Sequence, residues 1–391
     1  MNKKITIKSI SQQDKTVKAS ININGHEEIV TTLFNENCAP YISLKSIDPY
    51  VIGFLYFAMN YGYDIESKLP ISEELYYNLH FHFIDSLIQA NPNFHRVQIN
   101  APLTQANNIS FNNKNIVATG ISCGVDSLYT IATHGKQSSI PSDYKLNALC
   151  FFNVGAAMKV NYEPSALIEG RKKLAQTFAE EYGYKFLYVE SNIHFIINKY
   201  APYSHVENHT YMALFCCLHL QNGIAKYYYS SGYTIKDFSI IKEGNKELDA
   251  AHYDLLTLSI ASINGCKFYS IGSTTTRLNK VSYLCNYPPA YKYLNVCVNE
   301  VQNDNKCFKC IRTILEIDAV GDITKFNKVF DINEYQSNFN WYLRRLYIDC
   351  KLKKDPLLQE VYPYFKYKIS LTFKLKTIFS IIINKLLRKN G

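Results

Sequence analysis

The segment 122–127, Ser-Cys-Gly-Val-Asp-Ser, puts two hydroxyls, a glycine and a carboxylate into a turn between a β-branched run and an apolar-periodic stretch. At a helix start such a turn presents orphan backbone N–H groups and hydroxyls where the helix dipole favours an anion, and phosphate is the obvious candidate. The spacing is not that of a Walker loop, because no lysine stands at the helix start. An ordinary turn capped by aspartate accounts for Asp126 alone and leaves Ser122, Gly124 and Ser127 without a reason. Far downstream, Cys297 precedes the C-x2-C pair Cys307 and Cys310, which is closely followed by Arg312 and Thr313. Three thiols supply three of the four ligands of a structural zinc site; buried thiols at a helix start, with no metal, give the same string. Arg277 and Lys280 stand i, i+3 after the last expected strand, a spacing that a solvated helix start also shows. His205, Glu207 and His209 do not have the i, i+4 histidine spacing of a zinc protease helix. Glu207 is expected to open a helix, with the histidines as polar packing or one of them lining a pocket.

The elements that must hold these groups follow from periodicity. Residues 1–43 alternate polar and apolar and predict a small antiparallel sheet, and 49–90 turn helical, so that 1–102 reads as a small α/β lead-in domain. From 115 onward strands alternate with helices. The expected strands are 115–120, 147–153, 186–190, 226–231 and 267–271, and the expected helices 126–134, 163–182, 207–220 and 250–263. Strand runs such as ALCFF and KYYYS are apolar or aromatic on both faces, as in a parallel sheet covered on both sides. The fold expected for 113–280 is therefore α/β: a doubly wound, Rossmann-like parallel sheet of five strands, whose ligands sit outside the carboxyl ends of the strands. Residues 281–350 form the cysteine-bearing and helical region, and 351–391 a basic amphipathic tail. Within the tail, 365–376 alternates strictly like a strand, whereas Ile378, Ile381, Ile382 and Leu386 fit a helix.

The loop 122–127 resembles the S-G-G-x-D-S pyrophosphate loop of the ATP pyrophosphatases, the adenine nucleotide alpha hydrolase-like family. Ser122, Gly124, Asp126 and Ser127 match, and Cys123 stands where the first glycine is usual; a positive φ there would disfavour a side chain. The cysteine segment is similar to the four-cysteine zinc knot of the 7-cyano-7-deazaguanine synthase group, with Asp304 in place of one cysteine. The resemblance, over about 115–318, implies ATP bound by Ser122, Cys123, Gly124, Val125, Asp126 and Ser127, with Asn153 and Gly155 near the adenine and Arg277 and Lys280 facing the phosphates. It implies catalytic roles for Ser122, Asp126 and Ser127, with Asp126 helping to hold Mg²⁺, and an acceptor pocket including Ser231, Gly232 and Asp237. It further implies a structural Zn²⁺ on Cys297, Asp304, Cys307 and Cys310. The activity implied is adenylation of a small-molecule carboxylate or amide oxygen, with release of pyrophosphate and then nitrogen transfer from ammonia in solution or from a partner glutaminase. The alternatives are adenylation of a tRNA base, or a nucleotide-binding scaffold without turnover.

Composition limits the partners. The chain carries +9, but the seven Lys and Arg residues from Lys366 to Lys389 stand with no acid after Tyr364, and the remainder holds only about +2. That near-neutral body argues against a large nucleic-acid footprint. The tail reads as a solvated helix, a mate for a second copy in a homo-oligomer, or a reversible anchor on an anionic membrane surface. Eleven cysteines without a secretory signal predict free thiols. Neither a signal peptide nor a stretch of about 18 apolar residues is apparent, so the expected location is cytoplasmic, with peripheral contact at the inner membrane face as an option.

Overall fold

The computed structural model describes residues 3–104, 114–159 and 162–387, with side chains to Ser380. The chain divides into two compact units, one of residues 1–122 and 130–274, the other of 123–129 and 275–391.

The first unit is α/β and is built on a large, mostly parallel sheet. Its strands are β1 (Lys3–Gln13), β2 (Thr16–Ile23), β3 (His26–Phe34), β4 (Tyr63–Ser67), β6 (Ile99–Asn100), β8 (Ile116–Gly120), β9 (Ala148–Asn153), β10 (Lys185–Ser191), β11 (Ile224–Ser230) and β12 (Lys267–Ile271), while β5 (Ile71–Ser72) and β7 (Leu103–Thr104) pair separately. The order across the sheet is β12-β11-β8-β9-β10-β3-β2-β1-β4-β6. The five expected strands lie side by side and parallel. They are not a sheet of five, however, because the sheet has ten strands. The N-terminal meander β1–β3 is antiparallel as expected, but β3 docks antiparallel on β10, with Val189 opposite Phe34 and Ser191 opposite Thr32. The pairing meets the backbone groups that β10 would otherwise leave at an edge. Nothing in a strand's own alternation tells which edge it will meet.

One core runs beneath this sheet from Ile5 to Phe268. The helix Asp48–Tyr61 is apolar nearly all round and is buried from Asp48 through Met59, as a helix without a polar face must be. It approaches its neighbours closely at Gly53, where a Cβ would lie 2.7 Å from Ile193 Cδ1 and 2.9 Å from Phe215 Cδ2. Each large side chain buried here contributes about 1.5–3 kcal/mol.

The second unit is helical apart from its loops. It holds the first turn of the helix Val125–His134 together with the helices Arg277–Leu284, Phe308–Val320 and Phe339–Tyr347. The tail begins as a short 3₁₀ turn, Lys366–Lys368, and continues as the helix Leu371–Leu387. The alternation over 365–376 therefore does not make a strand. With no sheet edge to pair with, a helix satisfies its own backbone. Among the described residues no helix is long and apolar enough to cross a membrane.

Candidate functional site

The second unit gathers three of the phosphate-loop candidates into one charged cluster. Asp126 lies in the first turn of Val125–His134, and one carboxylate oxygen accepts from Lys280 Nζ at 2.9 Å while the other accepts from Arg277 Nη1 at 3.3 Å. Both cations sit in the helix Arg277–Leu284, capped by the Thr276 hydroxyl, and the i, i+3 spacing turns them to one side. They are not a solvated helix start, since Lys280 is 1% exposed and Arg277 8%. Arg277 Nε donates to both oxygens of the fully buried Glu316, at 3.0 and 3.2 Å, and its Nη2 donates to Thr313 Oγ1 at 3.2 Å. Arg312 lies against the same carboxylate, with Nε 3.9 Å from Glu316 Oε1, and this buried Nε has no hydrogen-bond partner. Three cations thus face Asp126 and Glu316 in a setting largely closed to water, with Asp355 close enough to act on Arg277 and Arg312.

Charge competition sets the protonation of these groups. Burial works against the Asp126 anion, but Lys280 and Arg277 outweigh it and hold the carboxyl below its ordinary range. Burial pushes the Glu316 carboxyl up despite Arg277 and Arg312. Arg312 is pulled down by burial and then by repulsion from Arg277.

The loop itself is tightly held. Cys123 is fully buried at φ 58°, in the left-handed region, where the resembling motif has glycine. Its carbonyl accepts from Asn295 N at 2.8 Å. Gly124 O receives both Leu128 N, 2.9 Å, and the Ser127 hydroxyl, 3.1 Å. Val125 is buried, and Ser122, the last residue of the first segment of the other unit, is exposed.

The cysteine segment closes on itself. One ligand atom each from Cys297, Asp304, Cys307 and Cys310 lies within 4.8 Å of every other. Backbone amides point at these atoms: Glu300 N to Cys297 Sγ at 3.3 Å, Cys310 N to Cys307 Sγ at 3.4 Å, and Lys306 N and Cys307 N to Asp304 Oδ1, both 2.8 Å. Against its burial, those two amides take Asp304 down to about 2. Asn303 fixes the loop from inside, accepting from Val296 N and donating to the carbonyls of Leu294 and Val329. Asn305 supplies the turn at φ 56°, a conformation asparagine tolerates.

The other candidates belong to the first unit. Asn153 ends β9 and is buried. Gly155 has φ 98°, and a Cβ on it would meet Tyr203 at 2.8 Å. Ser231 is buried, with its hydroxyl on Tyr233 O at 3.2 Å; a Cβ on Gly232 would meet nothing within 4 Å. Asp237 turns back on the N–H and hydroxyl of Thr234, at 3.0 and 2.8 Å, closing a capping box. Glu207 does open a helix, with its N–H on the Ser204 hydroxyl, and its carboxylate holds Tyr56, Lys242 and Leu248 N.

Glu316 and Asn303 were not identified from sequence. The signal available for Glu316 was its i, i+4 offset from Arg312 in the helix Phe308–Val320; Asn303 carried none. Compared with family models, curated proteins and solved structures, the chain matches none.

Proposed function

We propose that the chain is an ATP pyrophosphatase-type ligase, which uses the loop 122–127 to bind nucleotide phosphates and activates a small-molecule carboxylate or amide. The observation that carries this reading is the gathering of three buried cations at the helix start, one of them with an unpartnered guanidinium nitrogen. Arg277, Lys280 and Arg312 meet Asp126 and Glu316 there, Asp355 is close enough to act on both arginines, and the buried Arg312 Nε is left without a hydrogen-bond partner. An anion of phosphate type would meet that nitrogen, and the first-turn amides of Val125–His134 would add donors. Within the first unit, the side-by-side parallel strands β12-β11-β8-β9-β10 are of the kind a doubly wound nucleotide-binding sheet uses.

In this reading an acceptor oxygen forms a bond to the α-phosphorus, the bond to the β-phosphate oxygen breaks, and pyrophosphate leaves. A nitrogen nucleophile then displaces AMP. The cationic cluster stabilises the charge that develops on the departing pyrophosphate. The arrangement does not fit Mg²⁺ on Asp126, because both carboxylate oxygens are engaged by cations. Zinc does fit the cysteine segment: three thiols and a carboxylate converge, with amide donors to stabilise thiolates, and all four ligands come from protein. Its part would be structural.

The saturation of Asp126 also favours a second reading, a nucleotide-binding scaffold without turnover. One experiment separates the two. ATP binding by calorimetry and pyrophosphate release with a panel of carboxylic acids and amides are measured for the native chain and Asp126→Ala. Acceptor-dependent release that Asp126→Ala abolishes supports the ligase; binding without release across the panel supports the scaffold; no ATP binding defeats both.

A further inference from the structure

The first unit carries a second group of titratable side chains at the carboxyl end of β11. His209, in the helix His205–His219, has Nε2 2.9 Å from Asp249 Oδ1, and its Nδ1 is in short contact with the Tyr229 hydroxyl. A carboxylate only accepts, so the proton on that side belongs to His209 Nε2 and leaves Nδ1 as acceptor for the phenol. Asp249 is itself fixed by Ala251 N at 2.9 Å. The His209 and Asp249 side chains are 21% and 24% exposed, so water and small solutes reach them. Thr210 Oγ1, 3.3 Å from Nδ1, and His205, whose ring centroid is 5.9 Å away, complete the surroundings. Asp254 lies close enough to feel the charge of His209; it is buried and its Oδ2 has no hydrogen-bond partner.

The position within the sheet is what turns a polar cluster into a candidate site. From β8 the chain builds outward through β9 and β10 on one side, and through β11 and β12 on the other. The carboxyl ends of β8 and β11 therefore flank the point where the winding reverses, where open parallel sheets hold their ligands. Tyr229 is the penultimate residue of β11, and the turn behind it runs through Ser231 and the unobstructed Gly232.

We propose that Asp249, His209 and Tyr229 form a proton relay, in which the Tyr229 phenol is the acid–base group toward a small amine or ammonia held at the carboxyl end of β11. As an N–H bond of the protonated amine breaks, the nitrogen keeps the electron pair as the free amine, its proton passes to the Tyr229 oxygen and the phenolic proton passes to His209 Nδ1. The resulting imidazolium is neutralised by Asp249 and discharges to solvent. Tyr229 touches the ligand; His209 and Asp249 act through it, and Asp249 is a positioning residue. Only the choice of an amine rests on the ligase reading, and the test below uses no nucleotide.

Two readouts on the full chain decide it. N-acetylimidazole forms a Tyr229 O–acetyl bond as its own acyl C–N bond breaks and imidazole leaves with the proton. Peptide mass spectrometry should show Tyr229 acetylated faster than the more exposed Tyr162 and Tyr367. The rate should fall by about a hundredfold in His209→Gln, and by about tenfold in Asp249→Asn, which keeps an oxygen acceptor at the same place. Equal rates at the three tyrosines, or a Tyr229 rate unmoved by both substitutions, overturn the relay. In protein labelled at tyrosine Cζ, the Tyr229 resonance, assigned with Tyr229→Phe, should move with methylammonium chloride and not with tetramethylammonium chloride, which has no N–H to give. A resonance that ignores both salts, or follows both equally, overturns the amine assignment. A wild-type protein that passes these tests yet does not bind ATP would fail the ligase reading and leave the relay standing.

Discussion

Replacing Glu316 by Gln removes one charge and no volume from the centre of the cationic cluster. The side chain is fully buried, accepts two bonds from Arg277 Nε and is the anion nearest to Arg312. After the change Arg277, Lys280 and Arg312 are left with Asp126 and Asp355, and breaking a buried pair of this kind costs about 3–5 kcal/mol. At about 3–4 °C per kcal/mol for a unit of this size, melting should fall by about 10–20 °C. Thermal unfolding followed by circular dichroism reads the loss directly. If the cluster is an anion site, sodium pyrophosphate at a hundred times its dissociation constant should stabilise the native chain by about 2.7 kcal/mol. It should recover more than that in Glu316→Gln, whose uncompensated charge is larger. A variant that melts within about 2 °C of the native chain would refute the claim that these charges are mutually compensated. Melts unmoved by pyrophosphate in both proteins would refute the anion site.

Cys123 is the second place to press. A left-handed conformation costs a side-chain-bearing residue about 1–2 kcal/mol, so the relief in Cys123→Gly should roughly offset the loss of the buried thiol. Stability in urea within about 1 kcal/mol of native and undiminished ATP binding are expected, whereas the β-branched Cys123→Val should lose about 2 kcal/mol or more. At the knot, metal analysis should find about one zinc per chain. In the chelated protein Asp304 is held low, at about 2, so the stability it contributes is complete above the ordinary carboxylate range near 3.8 and is lost as pH falls toward 2. The stability difference between native and Asp304→Asn, from urea unfolding, should therefore shrink between about pH 5 and pH 2; a difference independent of pH would contradict the assignment. In the tail helix, Leu371, Leu375 and Phe379 are 71%, 59% and 65% exposed beside Lys374 and Lys376. Changing the three to Ser should weaken sedimentation with anionic liposomes and leave ATP affinity alone; unchanged sedimentation would leave the helix an ordinary surface element.

The sequence carried the local half of this fold. Each of the five strands read from 115 onward lies within two residues of its expected bounds, because apolar runs such as ALCFF are bounded by turn residues on both sides. The helices at Val125, Ser165 and His205 were equally plain. The docking of β3 on β10 was not, since register between distant strands is decided by which edges are left open. At the site, Asp126, Arg277 and Lys280 were legible as types at telling positions, and so were Cys297, Asp304, Cys307 and Cys310. Glu316 was not, because a carboxylate within a helix of mixed residues acquires its meaning only from the cations that fold against it. The alternation at 365–376 misled for the converse reason: a period of two makes a strand only where a partner strand exists.

The seam between β3 and β10 bears on how the chain must fold. Thr31 N–H meets Asn192 Oδ1 across 161 positions of sequence, and Thr32 lies opposite Ser191. During synthesis the β1–β3 meander is complete long before β10 exists, and although β4 can cover β1 early, the β3 edge must stay open until β10 arrives. Closing so distant a contact is entropically slow. Over that interval the open side of β3 can pair with the wrong strand, which makes the meander Lys3–Phe34 a segment whose protection during folding matters.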